Sequence, residues 1–242
     1  MTMGRSHFSR QSARCRLARR LPEMRVTWFG DDATLVEGVS RDLRHALVLS
    51  VRPAWLREVV CVGEDAMLYL QASPRDREIS ADRAALHTVI CAWLYAVGQG
   101  ETAFISQKPK THACTVRYGG EDTDLEEVAR RVNLSVSDVI ARHTSQTYIV
   151  DAAGFVPGFA YLEGLPDSLY LQRKAVPRVQ VFPGAVAIAA GYTGIYPSAS
   201  AGGWWILGTL VDPLPGALWQ WDADPPARLG FGDRVVFRSV DA

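Results

Sequence analysis

The chain has 242 residues, of which 48% are apolar, and its 26 basic and 26 acidic residues give a formal net charge of zero. That content suits one large or two modest packed domains and lies outside the disordered range. The charge balance argues against nucleic acid as the main partner, and no run approaches the ~20 apolar residues of a membrane span.

Residues 1–23 hold six arginines (Arg5, Arg10, Arg14, Arg16, Arg19 and Arg20) and one acid, Glu23, so the remainder is mildly acidic. This leader lacks the continuous apolar stretch of a signal peptide. It is expected to be disordered or a non-native start, with the folded chain opening at Met24; a basic arm for an anionic partner is the other reading. Arg25–Phe29 and Ala33–Glu37 are strand-like runs around the turn Gly30-Asp31-Asp32. Asp42–Leu49 has helical spacing. Val59–Val62 and Met67–Leu70 read as strands around Gly63-Glu64-Asp65. Ser80–Val97 is the clearest helix, with Ser80 as N-cap, an apolar stripe at Leu86, Val89, Ile90, Trp93, Leu94 and Val97, and Gly98 as its stop. These elements predict a small α+β domain over residues 24–108.

The polar stretch Gly98–Thr111 reads as a linker, and a second domain follows over 109–242. Ala113–Tyr118 is a strand. Asp124–Val132 is a helix with acids in its first turn, where the helix dipole favours them. Ser135–His143 is another, with Ser135 and Asp138 resembling a capping box. From Thr147 short β-branched or aromatic runs alternate with Gly and Pro: Tyr148–Val150, Val179–Phe182, Val186–Ala190, Trp205–Leu207 and Arg234–Phe237. Many short strands with regular turn signals argue for a barrel or sandwich.

Four cysteines, Cys15, Cys61, Cys91 and Cys114, form no CxxC pair and sit at no metal-ligand spacing from a histidine. Cys61, Cys91 and Cys114 lie among apolar neighbours and read as buried free thiols in a reducing, cytoplasmic setting, and no metal site is expected. There is no phosphate-binding GxxxxGK[ST] loop, GxSxG elbow, HExxH pair or biotin-attachment Met-Lys-Met.

Two segments carry most of the information. In Gly154-Phe-Val-Pro-Gly-Phe-Ala-Tyr-Leu162, glycines bracket Pro157, which predicts a sharp turn with positive φ. Phe155, Phe159 and Tyr161 would make an apolar wall with a phenol at its edge. The other segment is Gly184-Ala-Val-Ala-Ile-Ala-Ala-Gly-Tyr-Thr-Gly-Ile-Tyr-Pro197, followed by Ser198-Ala-Ser-Ala-Gly-Gly-Trp204. There Gly202 and Gly203 leave backbone N–H groups open to a ligand anion. Both segments also read as barrel corners with core aromatics.

These segments, with Pro177-Arg178, Tyr118-Gly-Gly-Glu-Asp, His143-Thr, Phe29-Gly-Asp-Asp-Ala and Phe231-Gly-Asp-Arg-Val-Val-Phe, resemble the family of the B-type 5-oxoprolinase subunits and allophanate hydrolase subunit 1, which is the C/D type of carboxyltransferase domain. The resemblance implies an α+β N-terminal domain followed by a mainly-β cyclophilin-like barrel. It implies a larger partner, the C-type 5-oxoprolinase subunit or an allophanate hydrolase subunit 2-like protein, with an A-type 5-oxoprolinase subunit as the third member. It also implies ATP use at the level of the complex. The activity implied is ATP-dependent opening of a lactam. A carboxyltransferase or allophanate-hydrolase role on a urea-like substrate, and non-catalytic inhibition of a histidine kinase, are the alternatives. Carried over residue by residue, His143, Tyr161 and Arg178 are the catalytic candidates. Thr193, Tyr196, Ser200, Gly202 and Gly203 are the substrate-binding candidates. His143 also reads as a helix C-terminal cap, Tyr161 as a core tyrosine, and Arg178 as one side of an interdomain salt bridge.

The sequence departs from the family pattern at Tyr192 (for Gln), Ala201 (for Pro), Trp205 (for a polar residue), and Thr209 and Leu210 (for Arg-Thr). Loss of polar character near the expected groove would remove substrate hydrogen bonds. Exposed apolar groups at Trp205 and Leu210 would instead favour a protein-binding regulator.

Overall fold

The structure, a computed structural model, describes residues 12–13, 24–71, 83–104, 109–212 and 218–240. Ser80, expected as a helix cap, and all of the leader except Ser12–Ala13 lie outside them. The chain divides into two compact units, residues 1–107 and 108–242.

Among the described residues the first unit is a five-stranded sheet with two helices. Its strands are β1 (Ser12–Ala13), β2 (Arg25–Phe29), β3 (Ala33–Glu37), β4 (Leu56–Val62) and β5 (Asp65–Leu70), in spatial order β1-β2-β3-β5-β4. Helix α1 spans Arg41–Leu49, and its N-cap Ser40 accepts a hydrogen bond from the Leu43 amide at 3.3 Å. Helix α2 spans Arg83–Gly98 and buries Leu86, Ile90, Leu94 and Val97 at helical spacing. Val89, expected in that stripe, is 43% exposed. Alternate strand residues (Val26, Val36, Leu68) meet Leu43, Leu47 and Ile90 in one apolar core. Cys61 and Cys91 lie in it as buried thiols outside any disulfide, and Cys114 is a third in the other unit.

The second unit is a closed seven-stranded barrel in the order β10-β11-β8-β7-β14-β6-β13, with β13 closing onto β10. The strands are β6 (Thr111–Tyr118), β7 (Thr147–Ala153), β8 (Ala160–Glu163), β10 (Ala185–Ala189), β11 (Tyr192–Ile195), β13 (Trp205–Asp212) and β14 (Arg234–Ser239). Closure removes exposed sheet edges. A separate ribbon pairs β9 (Arg178–Val181) with β12 (Ser200–Gly202). Two helices follow β6: α3 (Leu125–Arg131) and α4 (Val136–Thr144). The expected cap forms, since Ser135 Oγ accepts from the Asp138 amide at 3.0 Å and donates to Asp138 Oδ2 at 2.5 Å. Asp124 stands at the N-cap of α3 but makes no side-chain cap bond there.

Every residue of β10 is buried. Val186 and Ile188 join the core that includes Val116, Tyr148, Leu162, Val235 and Phe237. Ala185, Ala187 and Ala189 join a second cluster with Phe159, Tyr196 and Trp204. Side chains alternate across a strand, so this wall separates two apolar layers. Small alanines on one side make room for large aromatics.

Candidate functional site

The segment Gly154–Phe159 makes two successive tight turns. The Val156 amide donates to the Gly154 carbonyl at 2.8 Å, and Phe155 between them has φ 68°. That is a γ-turn of the strained, positive-φ kind, rare for a bulky side chain. Next, the Phe159 amide donates to the Val156 carbonyl at 3.0 Å, with Pro157 and Gly158 (φ 85°) at the central positions. Proline followed by a positive-φ glycine is the signature of a type II turn. The sharp turn expected here forms, although the first positive φ falls on Phe155 and not on Gly154. It leaves Phe155 57% exposed, while Phe159 is buried. Phe155, Phe159, Trp219 and Leu229 line a cavity of about 360 Å³.

Behind this loop the aromatics interlock edge to face, as their quadrupoles favour. Phe159 meets Tyr161 at 5.1 Å, Tyr196 at 5.4 Å and Trp204 at 5.5 Å between centroids. Tyr161 also meets Tyr192 at 5.9 Å. A Cβ on Gly202 would stand 2.4 Å from the Tyr196 hydroxyl, so glycine there admits the tyrosine. Tyr192 keeps polar function despite replacing glutamine: its hydroxyl donates to Asp151 Oδ2 at 3.1 Å. Asp151 is 1% exposed and sits where a bulge interrupts the pairing of β7 with β8.

His143 lies on the other side of the wall, fully buried. The Thr193 hydroxyl donates its single proton to the Ala187 carbonyl at 3.0 Å, so it accepts from His143 Nε2 at 2.9 Å. Nδ1 is then the acceptor for the Tyr118 hydroxyl at 2.7 Å. Both ring nitrogens are satisfied in one tautomer. Burial pushes the imidazole down to about 3, so it is neutral at ordinary pH. Phe237 and Tyr148 pack on the ring with centroids at 4.7 and 5.3 Å, and the Tyr148 hydroxyl donates to the His143 carbonyl at 2.9 Å.

A third group gathers on Asp124. Arg178 grips its carboxylate with both terminal nitrogens at 2.7 and 2.9 Å. Lys174 Nζ reaches it at 2.7 Å, and the Ile206 amide donates to it at 2.8 Å. Burial alone would raise this carboxyl, but the hydrogen bonds from Arg178, Lys174 and Ile206 outweigh that and hold it below the usual carboxylate range. The Arg178 ion pair is therefore internal to the barrel unit, not interdomain. The Lys174 amide donates to the Gly203 carbonyl at 2.7 Å, and Gly202 pairs with Arg178 across the β9–β12 ribbon. The Ser200 hydroxyl is buried without a hydrogen-bond partner among the described residues.

The predicted residues thus fall into three groups. His143 and Thr193 meet inside the barrel wall; Tyr161, Tyr196 and Gly202 meet in the aromatic layer; Arg178 and Gly203 meet at Asp124. Thr193 and Tyr196 part company because they are three positions apart on or beside one strand, and alternation sends them to opposite faces. Asp124, Lys174, Tyr118 and Asp151 were not predicted as functional groups. Asp124 carries a faint signal, as the acid immediately before the first apolar residue of its helix, and Tyr118 opens one of the motifs of the family resemblance; Lys174 and Asp151 carry none. Trp205 and Leu210 are 7% and 4% exposed, which corrects the expectation that they face a protein partner. The Trp205 indole N–H donates to the Gln172 carbonyl at 2.7 Å, and its ring lies against Lys174 and Arg131. Among the described residues no cluster of His, Cys, Asp and Glu could hold a metal, and no helix is long and apolar enough to cross a membrane.

A family model described as carboxyltransferase domain, subdomain C and D, matches residues 24–229. The B-type 5-oxoprolinase subunit of Bacillus subtilis (strain 168) is 42% identical over 123 residues, covering 50% of this chain and 50% of that protein. The chain thus spans about half the length of this relative. The solved structure of TTHA0988 is 33% identical with a TM-score of 0.65, and the match covers 87% of this chain but 40% of that one. A conserved uncharacterized protein from Pyrococcus horikoshii is 32% identical with a TM-score of 0.50, covering 89% of this chain and 97% of its own.

Proposed function

The chain belongs to the carboxyltransferase-domain family, subdomains C and D, and on that premise we propose that it is one subunit of a 5-oxoprolinase-type amide (lactam) hydrolase working with a larger partner. The observation that carries this reading is the 42% identity to the B-type subunit of a 5-oxoprolinase. A partner is supported by TTHA0988, where the match accounts for 40% of a longer chain. ATP is used by the assembled complex and not by a phosphate loop of this chain, and the complex works in the cytoplasm. Tyr161 and Arg178 are partly exposed, whereas His143 and Thr193 are sealed in the barrel. Substrate contact therefore falls to Tyr161 and Arg178, with the Gly202–Gly203 backbone beside them, and His143 braces the wall behind.

The carboxyltransferase description of the family keeps a carboxyltransferase-type reaction as the second reading. The regulator reading loses its support with the burial of Trp205 and Leu210. The test is co-expression with the larger partner, addition of the third member, and an assay of glutamate release from 5-oxoproline with ATP. Release that stops when ATP is omitted is the expected result. A stable complex without turnover would move the reading to another amide or a urea, and absence of any complex would overturn it.

A further inference from the structure

The turn Gly154–Phe159 and the segment Trp219–Leu229 form two walls of the cavity of about 360 Å³, and no charged side chain lines it. The walls meet at Gly158, where a Cβ would stand 3.0 Å from both the Leu218 carbonyl oxygen and the Trp219 Cβ, so glycine lets them touch. The second wall carries a closed loop. Trp219 and Ala227 form a β-bridge, the Gln220 amide donates to the Pro226 carbonyl at 2.9 Å, and the Arg228 amide donates to the Leu218 carbonyl at 3.0 Å. Residues 220–226 therefore leave the cavity wall at Trp219 and return to it at Ala227.

Two aromatics stand open at this cavity. Phe155 lines it at φ 68°, a conformation costly to any residue with a Cβ, and is still more than half exposed. Strain of this kind gathers where a protein binds something. Trp221 meets Trp219 edge to face at 5.3 Å and is 81% exposed. Exposed aromatics beside an apolar hollow are the anchors of protein interfaces. The loop also carries charge of one sign. Asp222 and Asp224 are exposed and form no ion pair or side-chain hydrogen bond among the described residues, and residues 220–226 contain no cation. Arg228 follows the bridge, but it does not line the cavity, whereas Ala227 and Leu229 on either side of it do.

We infer that this cavity and its acidic lip are the docking face for the larger partner, which sets an apolar side chain between Phe155 and Trp219 and a lysine or arginine against Trp221, Asp222 and Asp224. Charge selects the occupant. A second copy of this chain, packed face to face, would bring the same two carboxylates against themselves, whereas a cation is attracted both by them and by the face of an indole ring. The identity of the partner rests on the lactam-hydrolase reading, while the face itself rests on the cavity and its loop.

The experiment measures association of the full chain with the larger partner by interferometry, with turnover of 5-oxoproline assayed on the same preparations. Trp221→Ser and Phe155→Gly should each raise Kd on the order of 30-fold, the loss of one interface anchor. Trp221 is exposed and glycine takes a positive φ freely, so both variants keep the fold, which circular dichroism checks. Asp222→Asn combined with Asp224→Asn should slow association about fivefold at low salt, and the difference should fade toward ~0.5 M salt. Val179→Ser is the comparison, since Val179 lies on the β9–β12 ribbon and is 94% exposed; its Kd should stay within about twofold of wild type. Unchanged Kd in both aromatic variants, or a loss confined to Val179→Ser, would overturn the docking face. Association that ignores both the aspartate changes and salt would overturn the basic side chain on the partner. A complex weakened by the aromatic variants but inert toward 5-oxoproline would leave the docking face standing and overturn the hydrolase reading, and absence of any complex would overturn both.

Discussion

Single residues show how one polar group can be silent or active according to its surroundings. His143 and Arg178 are both predicted catalytic groups. The imidazole is sealed among Tyr118, Tyr148, Thr193 and Phe237, and the guanidinium is anchored but partly open. Burial sets the native imidazole to about 3, whereas the unfolded value is about 6.5. Between those values the unfolded chain binds a proton that the native chain does not, so stability falls as pH drops below about 6.5 and levels off near the native value. The slope in that window is about 1.4 kcal/mol per pH unit. His143→Gln removes this titration. Its urea-unfolding free energy should lie below wild type at pH 7.5, and the gap should narrow by roughly 2 kcal/mol at pH 5. Parallel curves for the two proteins would show that His143 is not the titrating group.

At the scale of elements, glycine positions separate close packing from backbone conformation. Gly208 lies in β13 opposite Tyr118 on β6, and a Cβ there would stand 2.3 Å from the Arg117 carbonyl oxygen and 2.8 Å from the Tyr118 Cα. Neighbouring backbone in a closed barrel cannot give way as a side-chain tip can. Gly208→Ala should cost about 3 kcal/mol. Gly232 has φ +80° and nothing within 4 Å of its Cβ position, so Gly232→Ala meets only the conformational penalty, about 1 kcal/mol. Denaturant midpoints of the two variants check the ranking, and an equal cost would contradict it. The strands Ala160–Glu163, Tyr192–Ile195 and Ser200–Gly202 were not legible beforehand, because runs of four or fewer residues, two of them holding a glycine, are too short to show a period. The helices were legible, since α1, α2 and α4 repeat their apolar positions over several turns.

For the whole molecule, the division near residue 107 has a consequence for stability. Both apolar clusters of the barrel draw only on residues from Cys114 onward. A fragment of residues 109–242 should therefore unfold cooperatively and keep the near-ultraviolet signal of its interlocked aromatics. A fragment that is soluble but lacks that signal would mean the barrel depends on the first unit for its packing.

By itself the sequence determined the α+β unit, the start of the barrel texture at Thr147, the turn at Pro157-Gly158 and the family. Local rules suffice there: helical period, capping, the fixed φ of proline and the freedom of glycine act over a few residues, and a long ordered set of motifs is specific. Tertiary structure alone decided which candidates meet. Asp124 finds Arg178 fifty-four positions away and His143 finds Thr193 fifty positions away. Barrel closure and side-chain alternation bring those residues together, and neither leaves a trace in the neighbouring sequence. The same holds for Trp205 and Leu210, which composition marked as apolar and only the packing of the barrel marked as buried.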